Sequence, residues 1–278
     1  MLKTRIVTAV LVLPVVLVAL FLFPAWAWVL FSLGIVLVSF WEWSRFCGWA
    51  THIGTGYLAL SSAGAIALAA LAIFSPLLYD VTLIPVLCIA AAFWCVAVPL
   101  WLKQHWRPSS PIWIGLAGWF VILPFETALI SLRAMGAETL LFFAAVVWVA
   151  DIAAYFAGKA FGKHKLAPAI SPGKTWEGVA GALIGVSLLW GGLFTGISTR
   201  FQWPVAIDMR DAFVPGLAVF LALAAVSIFG DLFESWMKRG AGLKDSSGLL
   251  PGHGGVLDRI DALTACLPIA CALMLVLR

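Results

Sequence analysis

Residues 230–261 read GDLFESWMKRGAGLKDSSGLLPGHGGVLDRID. This stretch carries five of the chain's thirteen carboxylates, Asp231, Glu234, Asp245, Asp258 and Asp261. It also carries Lys238, Arg239, Lys244 and Arg259, four of the seventeen Lys and Arg residues. The sequence on either side is almost purely apolar. A charge at bilayer depth costs about 2.5–3.5 kcal/mol on insertion scales, so charge of this density beside apolar runs implies a use. The rest of the chain reads as a membrane scaffold for this stretch and a second one, residues 151–178.

Of 278 residues, 63% are hydrophobic and 11% charged. A soluble domain carries about 25% charged residues, so the composition describes an integral membrane protein. The apolar runs are continuous, whereas a barrel strand alternates over about ten residues; helices follow. About nine spans are expected, near 6–23, 25–41, 57–78, 81–102, 111–132, 138–158, 178–198, 212–236 and 260–277. Residues 1–110 read as scaffold helices and 111–278 as the region carrying both charged stretches. No cleavable signal peptide is expected, since no small-residue cleavage site follows the first apolar run. Cys47, Cys88, Cys95, Cys266 and Cys271 show no metal-ligand spacing and read as reduced packing residues.

With nine spans and a cytoplasmic N-terminus, thirteen of the seventeen Lys and Arg residues fall on the cytoplasmic side. Only Arg133, Arg200, Arg210 and Arg278 fall opposite, a strong positive-inside bias. Both charged stretches then open to the cytoplasm, and the C-terminus lies on the other side. Trp26, Trp28, Trp41, Trp43, Trp101 and Trp106, near span ends, fit an interfacial belt. Glu42 and Arg45, spaced i, i+3, read as a local helix-end pair. Glu126, alone inside an apolar run, has no partner in sight.

Asp151 interrupts an apolar helix and reads as a polar pocket wall. Lys159, Lys163 and Lys165 suit a basic juxtamembrane loop. In Ser171-Pro172-Gly173-Lys174-Thr175 the Pro and Gly set a turn and the hydroxyl can cap the next helix. This is not a P-loop, because Pro168 occupies the first glycine position. It retains the features of a phosphate site at a helix N-terminus.

In the organising stretch, Ser227, Asp231, Glu234 and Lys238 form one helical stripe. Asp258 and Asp261 share a face at the start of the last span, with Arg259 pointing elsewhere. Gly254 and Gly255 lie in a glycine-rich connection of the kind that approaches an anion closely. Carboxylates on facing helices with a basic connection suggest a hard divalent metal plus phosphate. His253, without a His or Cys set, is not a zinc ligand.

Ser235, Lys238, Arg239, Lys244, Asp245, Leu250, Pro251, His253, Gly254, Gly255, Asp258, Arg259 and Asp261 together resemble the signature of the phosphatidate cytidylyltransferases, the CDP-diacylglycerol synthases. Asp151, Ser171 to Thr175, Glu177 and Gly178 resemble a second block of that family. The resemblance implies an all-α polytopic membrane protein of about nine transmembrane helices, with a polar, metal-binding pocket open to the cytoplasmic side of a bacterial-type inner membrane. It implies an Mg²⁺-dependent nucleotidyltransferase that takes CTP and phosphatidate, binds no nucleic acid, and often forms homodimers. One or two metal ions are implied, with a monovalent cation in one position left open. By the same resemblance, Asp231, Asp258 and Asp261 are metal ligands. Lys174, Lys238, Arg239 and Lys244 neutralise phosphates. Ser171, Thr175, His253, Gly254 and Gly255 orient them, and Asp151, Glu177 and Asp245 complete the pocket. The rival classes are a transporter, a CTP-dependent polyprenol kinase and an archaeal-lipid cytidylyltransferase. A CDP-alcohol phosphotransferase lacks its DG-x₂-AR motif here.

Overall fold

The computed structural model describes residues 2–196 and 213–276. Arg200, Arg210 and Arg278, used in the charge count, and the end of the seventh expected span lie outside the described residues. Among the described residues there are nine helices: α1 Leu2–Leu22, α2 Ala25–Cys47, α3 Thr51–Phe74, α4 Pro76–Lys103, α5 Pro111–Met135, α6 Ala137–Phe161, α7 Trp176–Gly196, α8 Phe213–Gly240 and α9 Leu257–Val276. Eight of them, α2 to α9, are long and apolar enough to cross a membrane. In α1 the apolar part is the shorter Val7–Leu22.

Local chemistry explains the helix ends and one irregularity. Gly48 ends α2 in the left-handed region (φ 63°), which costs glycine nothing. Pro99 offers no N–H and crowds the carbonyl four residues back. The preceding turns of α4, Phe93–Ala97, widen to a π-helix, with the Val98 amide donating to Phe93 O. Outside the helices, β1 Lys165–Ala167 and β2 Ser171–Thr175 form a short antiparallel hairpin. It is a departure from the all-helical expectation. The turn falls at residues 168–170, so Pro172 and Gly173 lie inside β2 and do not make the turn expected of them; a proline without an N–H is tolerated on such an edge strand.

The core is aromatic where α8 meets the first half of the chain. The Phe233 ring has Trp101, Phe93, Trp94 and Trp43 around it at centroid distances of 5.4, 5.6, 5.8 and 6.4 Å. Trp28, Trp43 and Trp101, expected in an interfacial belt, are buried. Their indole N–H groups donate to the carbonyls of Leu129, Ile114 and Trp106. A buried indole usually finds such an acceptor. Trp26, Trp41 and Trp106 are exposed, as a belt requires.

Small residues let the helices that carry the charged groups approach closely. A Cβ at Gly181 of α7 would collide with Ala157 of α6. A Cβ at Gly230 of α8 would lie 2.8 Å from Asp261 O on α9. These approaches bring the α6, α8 and α9 carboxylates together at one end of the bundle.

Candidate active site

A cavity of about 620 Å³ opens at that end. Asp151 comes to it from α6, Ser171, Lys174 and Thr175 from β2, and Asp231 and Lys238 from α8. Asp245 comes from the α8–α9 connection, and Asp258 and Asp261 from α9. Nine of the residues singled out in the sequence therefore share one space. Arg259 also lines it, contrary to the expectation that it points away. It follows Asp258 in the first turn of α9, where side chains splay toward the helix N-terminus and so over the cavity mouth.

Two lysines make three ion pairs at the cavity. Lys174 Nζ lies 2.6 Å from Asp231 Oδ2. Lys238 Nζ donates to Glu234 Oε2 at 2.8 Å and to Asp258 Oδ1 at 2.5 Å. Glu234 is buried beneath Lys238, so the stripe along α8 is part pocket wall and part foundation.

Asp258 is the fixed point of the connection. Its Oδ2 accepts from Gly255 N (2.7 Å), Ser246 N (2.8 Å) and Ser246 Oγ (2.9 Å). One carboxylate thus closes a loop of ten residues and caps α9, where the helix dipole favours a negative charge. The role of Gly255 differs from the expected one: its amide is engaged by Asp258 and not turned to a phosphate. Gly254 (φ +87°) makes the turn that permits this, and its carbonyl accepts from Leu250 N.

Sequence reasoning missed the residue that holds this loop from behind. Glu42 is wholly buried, and its carboxylate accepts four hydrogen bonds. The donors are Ser247 Oγ (2.5 Å), Leu257 N (2.7 Å), Val256 N (2.9 Å) and Ser246 Oγ (3.1 Å). Arg45 donates to Ser246 O at 2.5 Å. The expected local Glu42–Arg45 pair is therefore replaced by two long-range anchors on the same loop. Four donors at a buried site outweigh one solvated i, i+3 contact. A Cβ at Gly255 would run into Ser246 Oγ and Glu42 Oε1. Gly255→Ala is expected to unseat the loop, lowering the unfolding temperature of the purified protein by several degrees, as about 1–3 kcal/mol of overpacking implies.

The hairpin is anchored in the same manner. Thr175 Oγ1 accepts from Gly178 N at 3.1 Å and caps α7 as its type predicts. Glu177 does not line the cavity. It accepts from the His164 amide and, at 2.7 Å, from His164 Nδ1, tying the basic loop to α7. Arg239 and Lys244 are exposed and lie outside the cavity lining, as do His253, Gly254 and Gly255. Helix α8 ends beside Arg239, and a left-handed Gly242 turns the chain away.

Among the described residues, no three His, Cys, Asp or Glu side chains converge closely enough to form a metal site by themselves. The cavity does offer Asp231 and Asp261 from facing helices, which suits a cation that takes one or two carboxylates and fills its other positions with phosphate oxygens and water. The oxygens of Asp258 are held by two backbone amides, Ser246 Oγ and Lys238, whereas those of Asp231 are held by the side chains of Lys174 and Ser235.

The model of the cytidylyltransferase family matches residues 3–277. A phosphatidate cytidylyltransferase of Pseudomonas aeruginosa is 40% identical, over 99% of this chain and 97% of its own length. One of Haemophilus influenzae is 35% identical, over 96% of each chain. One of Brucella melitensis is 37% identical, over 95% of this chain and 90% of its own. A match over this length covers every element around the cavity, and the chain belongs to the cytidylyltransferase family.

Proposed function

We propose that this chain transfers the cytidylyl group of CTP to phosphatidate, forming CDP-diacylglycerol and releasing pyrophosphate. The observation that carries this reading is the cavity itself. Acids and lysines from β2, α8 and α9 meet at one end of an apolar bundle, where a soluble nucleotide and a lipid headgroup can both reach. The full-length relatives named for that activity support it.

The chemistry needs positioning and charge neutralisation more than a strong base. The nucleophile is an oxygen of the lipid phosphate monoester, whose second pKa near 6 leaves it largely dianionic at pH 7. That oxygen forms a bond to the α-phosphorus of CTP while the α–β anhydride bond breaks, and pyrophosphate leaves with the electron pair. Lys174 and Lys238 lower the repulsion between the two anions. Ser171 at the turn end of β2 and Thr175 at its junction with α7 both line the cavity, suited to orient phosphate oxygens. Arg239 and Lys244, exposed beside the mouth, attract the nucleotide from solvent.

The cavity walls carry Asp151, Asp231, Asp245, Asp258 and Asp261 against Lys159, Lys174, Lys238 and Arg259. Side chains alone do not neutralise a triphosphate there. We assign Mg²⁺ to Asp231 and Asp261, and place Asp258 one step back as the residue that fixes the loop. A bound Mg²⁺ supplies the charge that draws phosphate oxygens onto an acidic wall.

We also place the cavity face in the cytoplasm of a bacterial inner membrane and count α1 as a ninth crossing. Thr8 Oγ1 on α1 donates to Pro251 O on the cavity face, and Arg133 at the far end of α5 donates to the carbonyls of Leu20 and Phe23. Helix α1 therefore joins the same two faces as its neighbours.

Pyrophosphate release from CTP by the detergent-purified protein tests the activity. Release is expected to need both phosphatidate and Mg²⁺, to stop with a chelator and to resume when Mg²⁺ is restored. A folded protein that releases none with any lipid would return the chain to the transporter class.

A further inference from the structure

A second cavity, of about 450 Å³, lies on the other side of the α6–α9 pair from the polar one. Helix α1 forms its outer wall. That helix is clamped at its two ends, by Thr8 on Pro251 and by Arg133 on Leu20 and Phe23. Between the clamps it stands off from the bundle. Among its described side chains only Ala19 and Leu20 are buried. Val12, Val16 and Leu17 face a gap whose inner wall includes Ala144 and Trp148 of α6 and Leu263 of α9.

The groove is apolar along its length and polar at one end. Its polar end is formed by Thr8, His253 and Arg259. Arg259 lines the polar cavity as well, so one guanidinium marks the boundary between the two spaces. Among the described residues, no carboxylate lies within ion-pair distance of it. His253 Nδ1 is buried there without a hydrogen-bond partner. An unpaired guanidinium is suited to a phosphate monoester, which it can meet with two parallel N–H groups.

Length points to the occupant. Thr8 to Leu20 is twelve helical steps, so the groove runs roughly 18 Å along α1 at about 1.5 Å per residue. The groove therefore runs from the rim of the polar cavity to the Leu20 clamp, long enough to hold an extended acyl chain, with its cationic end beside the cavity.

We propose that this groove seats one acyl chain of phosphatidate, with the lipid phosphate at Arg259 on the threshold of the polar cavity. The second chain stays in the bilayer. This assignment rests on the phosphatidate reading above and adds where the lipid lies. It also gives His253 a place beside the lipid headgroup and not the nucleotide.

The test fills the groove from its outer wall. Val16→Trp is expected to raise KM for dioleoyl phosphatidate about tenfold, the effect of roughly two methylenes losing their contacts. Turnover of dihexanoyl phosphatidate and KM for CTP are expected to stay at wild-type values. An equal loss on both chain lengths, or no loss on either, overturns the proposal. A second measurement needs neither a variant nor turnover. Phosphatidate carrying a photoreactive diazirine in one acyl chain is irradiated with the wild-type protein in the absence of CTP. Labelling of residues 8–20 and 141–148, competed by phosphatidate but not by phosphatidylcholine, is the expected result. Uncompeted labelling, or labelling elsewhere on the perimeter, means bulk lipid and overturns it. Absence of cytidylyl transfer with every chain length would instead refute the activity, whatever the labelling shows.

Discussion

Asp258→Asn is expected to cut pyrophosphate release at least about 10²-fold, the scale of losing one preorganised charged group in an active site. Three donors converge on Asp258 Oδ2 and an ammonium meets Oδ1. An Asn can present only one oxygen. If that oxygen faces Lys238, its NH₂ points at the amides of Ser246 and Gly255, and donors face donors. If it flips, Lys238 keeps only Glu234. Hydrogen bonds to a charged group are worth about 1.5–3 kcal/mol each, so either arrangement loosens the connection that holds Asp245 in the cavity. The loss also predicts non-additivity. Asp258→Asn combined with Lys238→Met is expected to cost less than the two single losses together, with a coupling of about 0.5–3 kcal/mol, because they share one interaction. Full turnover by Asp258→Asn would remove this residue from the working site.

Glu42→Ala is expected to have a comparable effect from outside the cavity. The substitution leaves the Ser247 hydroxyl and the Val256 and Leu257 amides without their buried acceptor, while the Ser246 hydroxyl keeps Asp258 Oδ2. At about 1 kcal/mol net for each hydrogen bond, the loss approaches 3 kcal/mol before the packing void is counted. The expected readout is a lower thermal midpoint together with lost activity, since the same loop carries Asp245 and begins α9. Glu42→Gln keeps one oxygen and is expected to fall between the two. Glu138→Ala serves as the control: Glu138 is exposed in the first turn of α6, and its removal is expected to leave both readouts unchanged. Wild-type stability in Glu42→Ala would mean that the α9 N-terminus holds the loop without this clamp.

The two residues differ in how far the sequence reveals them. Asp258 stands in a dense charged stretch, where its type and spacing announce a purpose. Glu42 lies at the end of an apolar run with an arginine three residues on, and nothing nearby distinguishes it from an ordinary helix-end acid. Its partners are more than 200 residues away along the chain. Periodicity describes neighbours within a helix, and a contact of that separation leaves no trace in it. His253 illustrates the reverse case. Its place in the signature suggests a phosphate contact, but Gly252 and Gly254, both with positive φ, turn it toward the α1 groove.

The sequence by itself determined the helical membrane scaffold, because long apolar runs in lipid can satisfy their backbone only within a helix. It also determined the family, through charged residues that an apolar chain would otherwise exclude. Only the tertiary structure decided which of those charges meet. Nine of them converge because Gly181 and Gly230 let helices approach and because the aromatic cluster around Phe233 fixes the rotation of α8. It also decided that Arg239 and Lys244 stay outside, that Asp258 gives one oxygen to its own loop and the other to Lys238, and that Glu42 holds that loop from the first half of the chain. Each of these depends on side chains from separate helices sharing one space, and that is set by packing, not by order along the chain.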